Sequence, residues 1–159
     1  MNLSKIEYEK FLKFLEKKFD LISDRSKELS EGLLKITDCH PYYTQQLAFT
    51  IWERLNRNGY SPEIIKSSAE EIVLSHDNDY ERLWNNFNRT DMMVLNGMTV
   101  SDISPLSDEF SKLFGTGAVS TVFSTLKRLT QKGILIREGS IYKIDDPFFK
   151  MWIIKRRGM

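Results

Sequence analysis

Residues 116–152 read TGAVSTVFSTLKRLTQKGILIREGSIYKIDDPFFKMW, and this stretch decides the fold. At 100° per residue, Val119, Val122, Phe123, Leu126, Leu129 and Thr130 fall in one sector, as an amphipathic helix requires. Gly133 stands where a helix C-terminus often needs positive φ. Ile134–Arg137 and Ile141–Ile144 are β-branched runs around Glu138-Gly139-Ser140, which predicts a hairpin. A closing amphipathic segment follows, with Asp145 or Asp146 as its cap, Pro147 in its first turn and Phe148, Phe149, Trp152 and Ile153 turned inward. A helix followed at once by a small hairpin is the second half of a winged helix-turn-helix.

Upstream, Asn88-Arg89-Thr90-Asp91 marks a boundary, with Thr90 capping a helix to about Gly97 that buries Met92 or Met93 with Val94 and Leu95. After the break at Pro105, Ser107 to Phe114 predicts another helix with Phe110, Leu113 and Phe114 inward. The first 88 residues read as an all-helical bundle. Its helices are residues 3–20 (Tyr8, Phe11, Leu12, Leu15 and Phe19 on one side) and a segment capped by Asp24 carrying Leu29, Leu33 and Ile36. A third runs from Pro41 to Asn58-Gly59 with Leu47, Ala48, Ile51, Trp52 and Leu55 as its stripe. A fourth opens at Ser61-Pro62-Glu63 and uses Ile65, Ala69, Ile72 and Val73, and a short fifth holds Tyr80, Leu83, Trp84 and Phe87. The expected fold is mainly α, a helical bundle (1–88) followed by a winged helix (89–159).

With 41% hydrophobic and 12% aromatic residues the chain can build a core. No apolar run approaches the roughly 20 residues that span a bilayer, and no signal peptide is visible. The one cysteine, Cys39, fits a reducing compartment, so a cytoplasmic protein with no membrane partner is expected. The net charge of +1 is unevenly spread: residues 116–159 hold nine Lys/Arg against three acids. That asymmetry fits an anionic partner for the C-terminal part, and equally a small domain solvated by Lys and Arg.

Enzyme chemistry is not legible. A phosphate-cradling Gly-x-x-x-x-Gly-Lys-Ser/Thr loop is absent from the sequence. His40, His76 and Cys39 are too few for the usual three or four N/S ligands of a zinc site, so no metal is expected. Neighbouring residues such as Cys39-His40 rarely converge on one reacting atom, and Asp145-Asp146 reads as a helix cap.

Two stretches can carry function. Opposite the apolar sector of the 119–131 helix lie Ser120, Thr121, Ser124, Arg128 and Gln131, with Lys127 on the flank. Such side chains reach phosphates and base edges, and Arg137 and Lys143 of the hairpin are expected to hold adjacent phosphate. The same surface serves equally as a protein contact. The second stretch is Cys39-His40-Pro41-Tyr42-Tyr43-Thr44-Gln45-Gln46-Leu47, a helix opening with aromatic and amide side chains. Packing alone accounts for it, and its free N–H groups also suit an anionic ligand.

His40-Pro41-Tyr42-Tyr43-Thr44-Gln45-Gln46-Leu47-Ala48 with Trp52 resembles the lid segment of archaeal-type P-loop ATPases, which are AAA+/STAND-related. Lys132-Gly133-Ile134-Leu135, Tyr142 with Ile144, and Asp146-Pro147-Phe148-Phe149 with Trp152 resemble the winged helix that follows that lid. The resemblance implies ATP and Mg bound by a preceding core, with His40 and Pro41 at the lid turn that approaches adenine or phosphate. The family's phosphate loop, metal-binding acidic strand and sensor residues are missing here. The expected role is therefore a non-catalytic C-terminal regulatory region, with no cofactor of its own, coupling a core's nucleotide state to partner or interdomain contacts. The alternative is a stand-alone winged-helix regulator that binds duplex DNA and dimerises through its N-terminal helices.

Overall fold

The computed structural model describes residues 7–158. They form helices α1 (Tyr8–Phe19), α2 (Ser26–Thr37), α3 (Pro41–Asn58), α4 (Ile64–Ser75), α5 (Asp77–Asn85), α6 (Arg89–Val100), α7 (Asp108–Phe114), α8 (Val119–Gln131) and α9 (Pro147–Arg157). Strands β1 (Leu135–Glu138) and β2 (Ile141–Ile144) pair antiparallel between α8 and α9. The chain divides into two compact units, Met1–Leu74 and Ser75–Met159.

In the first unit α2 packs against α1 and α3. Phe11, Leu12, Leu15, Phe19, Leu29, Leu33, Leu47 and Ile51 form its core, while Tyr8 is exposed and Ile36 half-buried. The expected first helix begins at residue 3, and its first four residues lie outside the described residues. Two helix starts differ from expectation. Arg25, rather than Asp24, is the N-cap of α2, because Ser23 Oγ accepts from its N–H and its guanidinium lies 4.4 Å from the Tyr60 ring centre. Ser61-Pro62-Glu63 is a turn, closed by Ile64 N–H donating to the Ser61 carbonyl at 3.1 Å, and α4 starts only where Ile64 enters the core. At the other end of α3, Gly59 caps the helix as the Asn58-Gly59 pair predicts.

The second unit begins fourteen residues before the expected boundary at 88, because α5 belongs to it. Tyr80 and Trp84 lie in the core with Phe149 and Trp152, ring centres 5.2 Å apart for Tyr80–Phe149 and 6.1 Å for Trp84–Trp152. Polar bonds reinforce this attachment. The Asp77 carboxylate accepts from Trp152 Nε1 at 2.8 Å and Arg156 Nε at 3.1 Å, and Glu81 pairs with Arg157. Tyr80 Oη donates at 2.8 Å to Asp146, the cap of α9, whose carboxylate also accepts from the Phe148 and Phe149 N–H groups.

Within this unit α6 packs against α7, α8 and α9, and the hairpin packs against α8 and α9. The cap of α6 is Asn88, not Thr90: its side chain accepts from Asp91 N–H and the Asp91 carboxylate accepts from Asn88 N–H, a reciprocal pair satisfying two donors. The helix runs on past Gly97 to Val100. Gly97 is a packing position rather than a stop, since a Cβ there would overlap the Phe110 ring of α7. Leu113, expected inside, is 60% exposed because Phe110 and Phe114 occupy the space against α6. Gly133 ends α8 at φ +77°, as its position predicts, and a two-residue Gly139-Ser140 turn joins the strands.

Asp77 titrates below its ordinary value, first because Trp152 Nε1 donates to the carboxylate and then because Arg156 lies beside it. Its stabilising contribution is therefore present above the ordinary aspartate range and fades as pH falls through the depressed value. Asp146 has the opposite sign: burial raises its pKa, so its ionisation costs stability as pH rises through that value. Urea unfolding of wild type and Asp77→Asn, from neutral to acid pH, separates the two groups. The wild-type advantage should shrink as pH falls, and a constant difference would contradict the pairing.

Candidate functional site

The exposed side of α8 carries the residues that sequence reading singles out. Ser120, Thr121, Ser124, Lys127 and Gln131 are all exposed. The buried sector is Val122, Thr125, Leu126 and Leu129. It is rotated toward Thr125 relative to the expected one, so Val119 and Phe123, expected inside, stand 42% and 49% exposed. Thr130 is half-buried and returns its hydroxyl to the Leu126 carbonyl.

Asp91 explains that rotation. Its side chain is 4% exposed on α6, and Arg128 of α8 donates to it through both terminal nitrogens, Nη1 at 3.1 Å. A buried carboxylate needs a partner, and Arg128 supplies one by turning away from the solvent face on which it was expected. Asp91 thereby holds α6 through its cap and α8 through its ion pair. Sequence reading missed it, although Asn88-x-x-Asp91 is the spacing of a capping pair. Nothing local in the sequence announces the 37-residue reach to Arg128.

Other hydroxyls and cations are also committed. Ser124 Oγ donates to the Ser120 carbonyl at 3.1 Å, so its proton serves its own helix. On the hairpin, Ile136 pairs with Lys143 and Arg137 with Tyr142. Successive strand residues face opposite sides, so Arg137 and Lys143 lie on opposite faces of the hairpin. Lys143 pairs with Glu138 at 3.3 Å, while Arg137 donates to the Gly139 carbonyl at 2.8 Å and lies 5.5 Å from the Tyr142 ring centre.

The second stretch opens α3 in the other unit. Asp38 and Cys39 both adopt left-handed φ, 50° and 58°, and bring the chain to His40 as N-cap with Pro41 in the first turn. The His40 and Tyr43 ring centres are 4.5 Å apart, and Tyr42 meets Tyr43 edge-on at 5.2 Å. Thr37 and Thr44 share a buried hydroxyl bond of 2.6 Å, tying α2 to α3. Among the described residues no group of three or more His, Cys, Asp or Glu is placed to hold a metal ion. No described helix is long and apolar enough to cross a membrane.

Because Arg128 serves Asp91, replacing it should destabilise the fold and not merely blunt the surface. Arg128→Met is expected to cost about 1–3 kcal/mol, toward the lower end because the guanidinium is partly solvated. Lys127→Met should stay within about 0.5 kcal/mol of wild type. Urea denaturation checks both, and equal stability of the two variants would contradict the assignment.

Residues 78–155 match a protein family described as a probable winged helix domain. No curated protein and no solved structure matches the chain. The match covers most of α5 and all of α6 to β2, ending within α9, so α5 falls inside it as it falls inside the second compact unit.

Proposed function

We propose that the chain is a non-catalytic interaction and regulatory region whose winged helix contacts protein through the outer face of α8. One observation carries this reading: Arg128 is turned in to Asp91, while Val119 and Phe123 are turned out. A DNA reader gains affinity with every phosphate its cations neutralise, and among the described residues α8 keeps only Lys127 as an exposed, unpaired cation within its length. Aromatic and apolar side chains standing out among hydroxyls suit a protein interface, where aromatics are enriched and charge is depleted at the centre.

The nature of the larger assembly rests on the sequence. His40-Pro41-Tyr42-Tyr43 and Asp146-Pro147-Phe148-Phe149 resemble the lid and winged-helix signatures of archaeal-type P-loop ATPases, and here they form the starts of α3 and α9. In that reading ATP and Mg belong to a core carrying the phosphate loop that this sequence lacks. His40 and Pro41 approach the nucleotide, and the chain shifts the balance between nucleotide-dependent states without chemistry of its own. A cytoplasmic setting agrees with the single cysteine.

Duplex-DNA binding is the second reading. It is favoured by Ser120, Thr121, Lys127 and Gln131 sharing the exposed side of a helix that has no acidic residue.

Gentle isolation of the native protein with an antibody against this chain tests the first reading. The expected product is a particle that contains a phosphate-loop polypeptide, either continuous with this chain or bound to it in a fixed ratio. A particle of this chain alone, retained on duplex DNA, would contradict it.

A further inference from the structure

Charge and shape along α8 define the partner more closely, and this step rests on the protein-contact reading above. Val119, Phe123 and Lys127 are spaced i, i+4, i+8, so they form one row with a rise of about 6 Å between neighbours. The first two are exposed apolar side chains, and the third is an exposed lysine that makes no ion pair. The helix sequence VSTVFSTLKRLTQ contains no acid, and its one arginine is neutralised by Asp91. The face therefore runs from apolar at its N-terminal half to net positive at its C-terminal end.

We infer that this row docks an acidic amphipathic helix of a partner protein, an apolar side chain seated on Val119 and Phe123 and a carboxylate meeting Lys127. A helical partner repeats its own side chains at the i, i+4 interval that the row presents, so its ridge can interdigitate with this one at a crossing angle of about −50°. A carboxylate complements Lys127, whereas a basic segment would be repelled by this acid-free helix face. Duplex DNA would also satisfy Lys127, but it would leave the apolar half of the row against hydrated phosphate.

The test places a photoreactive benzoylphenylalanine at position 120, exposed beside the row, in the full chain in its source cells. The expected adduct is with one protein segment that carries carboxylates and apolar residues at helical spacing. Lys127→Glu should lower its yield at least fivefold, Phe123→Asp should abolish it, and exchanging the partner's facing carboxylate for lysine should restore the yield with Lys127→Glu. Both substituted positions are exposed, and thermal melts matching wild type check that the fold is intact. If Phe123→Asp disturbs it, the charge exchange at Lys127 decides alone. An adduct with a protein segment lacking acids, with a second copy of this chain, or one indifferent to Lys127→Glu overturns the acidic helix and leaves the protein-contact reading standing. An adduct with DNA, or none at all, overturns both.

Discussion

The Asp91 carboxylate is the constraint on which the winged unit turns. It is buried, so it must be hydrogen-bonded, and its two oxygens face different elements. One closes the first turn of α6 by accepting from Asn88 N–H; the other accepts the Arg128 guanidinium of α8. A single side chain thus fixes where α6 starts and how α8 is turned about its own axis. With Arg128 drawn toward α6, Thr125 rotates into the core and Phe123 rotates out. The surface that α8 offers is a consequence of that ion pair.

Function follows from what the pair removes as much as from what it exposes. Arg128 is the one side chain on α8 suited to forked recognition of phosphate or guanine, and it is occupied. The hairpin adds no concentrated charge, since Arg137 and Lys143 lie on opposite faces and Lys143 meets Glu138. Two arginines of α9 are likewise held, by Asp77 and Glu81 of α5. Of the nine Lys/Arg in the C-terminal segment, four (Arg128, Lys143, Arg156 and Arg157) are thus held in ion pairs. What stays available on α8 is apolar surface, hydroxyls and lysine.

Much of the architecture was legible because its signals are local. The Gly133 stop, the β-branched runs around Gly139 and the Asp146-Pro147 helix start each depend on a few neighbouring residues, and each forms as its chemistry directs. The candidate face was legible only in part. Ser120, Thr121, Ser124, Lys127 and Gln131 are exposed as helical spacing predicts, but hydrophobicity alone favours Phe123 over Thr125 for the core, and the fold chooses Thr125. That choice is made by a tertiary ion pair. The same holds for α5, whose short apolar pattern does not say which unit it joins; its aromatic contacts with Phe149 and Trp152 and the bond from Trp152 to Asp77 decide that. Gly97 misled for a related reason, since a glycine that ends a helix and one that admits a neighbouring ring look alike in sequence.

The central claim is that α8 is a protein-facing helix with its arginine withdrawn, and binding of a mixed-sequence DNA duplex as a function of salt tests it most directly. With Lys127 as the one cation of α8 unpaired among the described residues, and Lys132 at its C-cap, the account predicts weak binding and a log–log salt slope no steeper than about −2. Tight binding with a much steeper slope, lost on Lys127→Ala, would show that the face reads phosphate after all and would contradict the account.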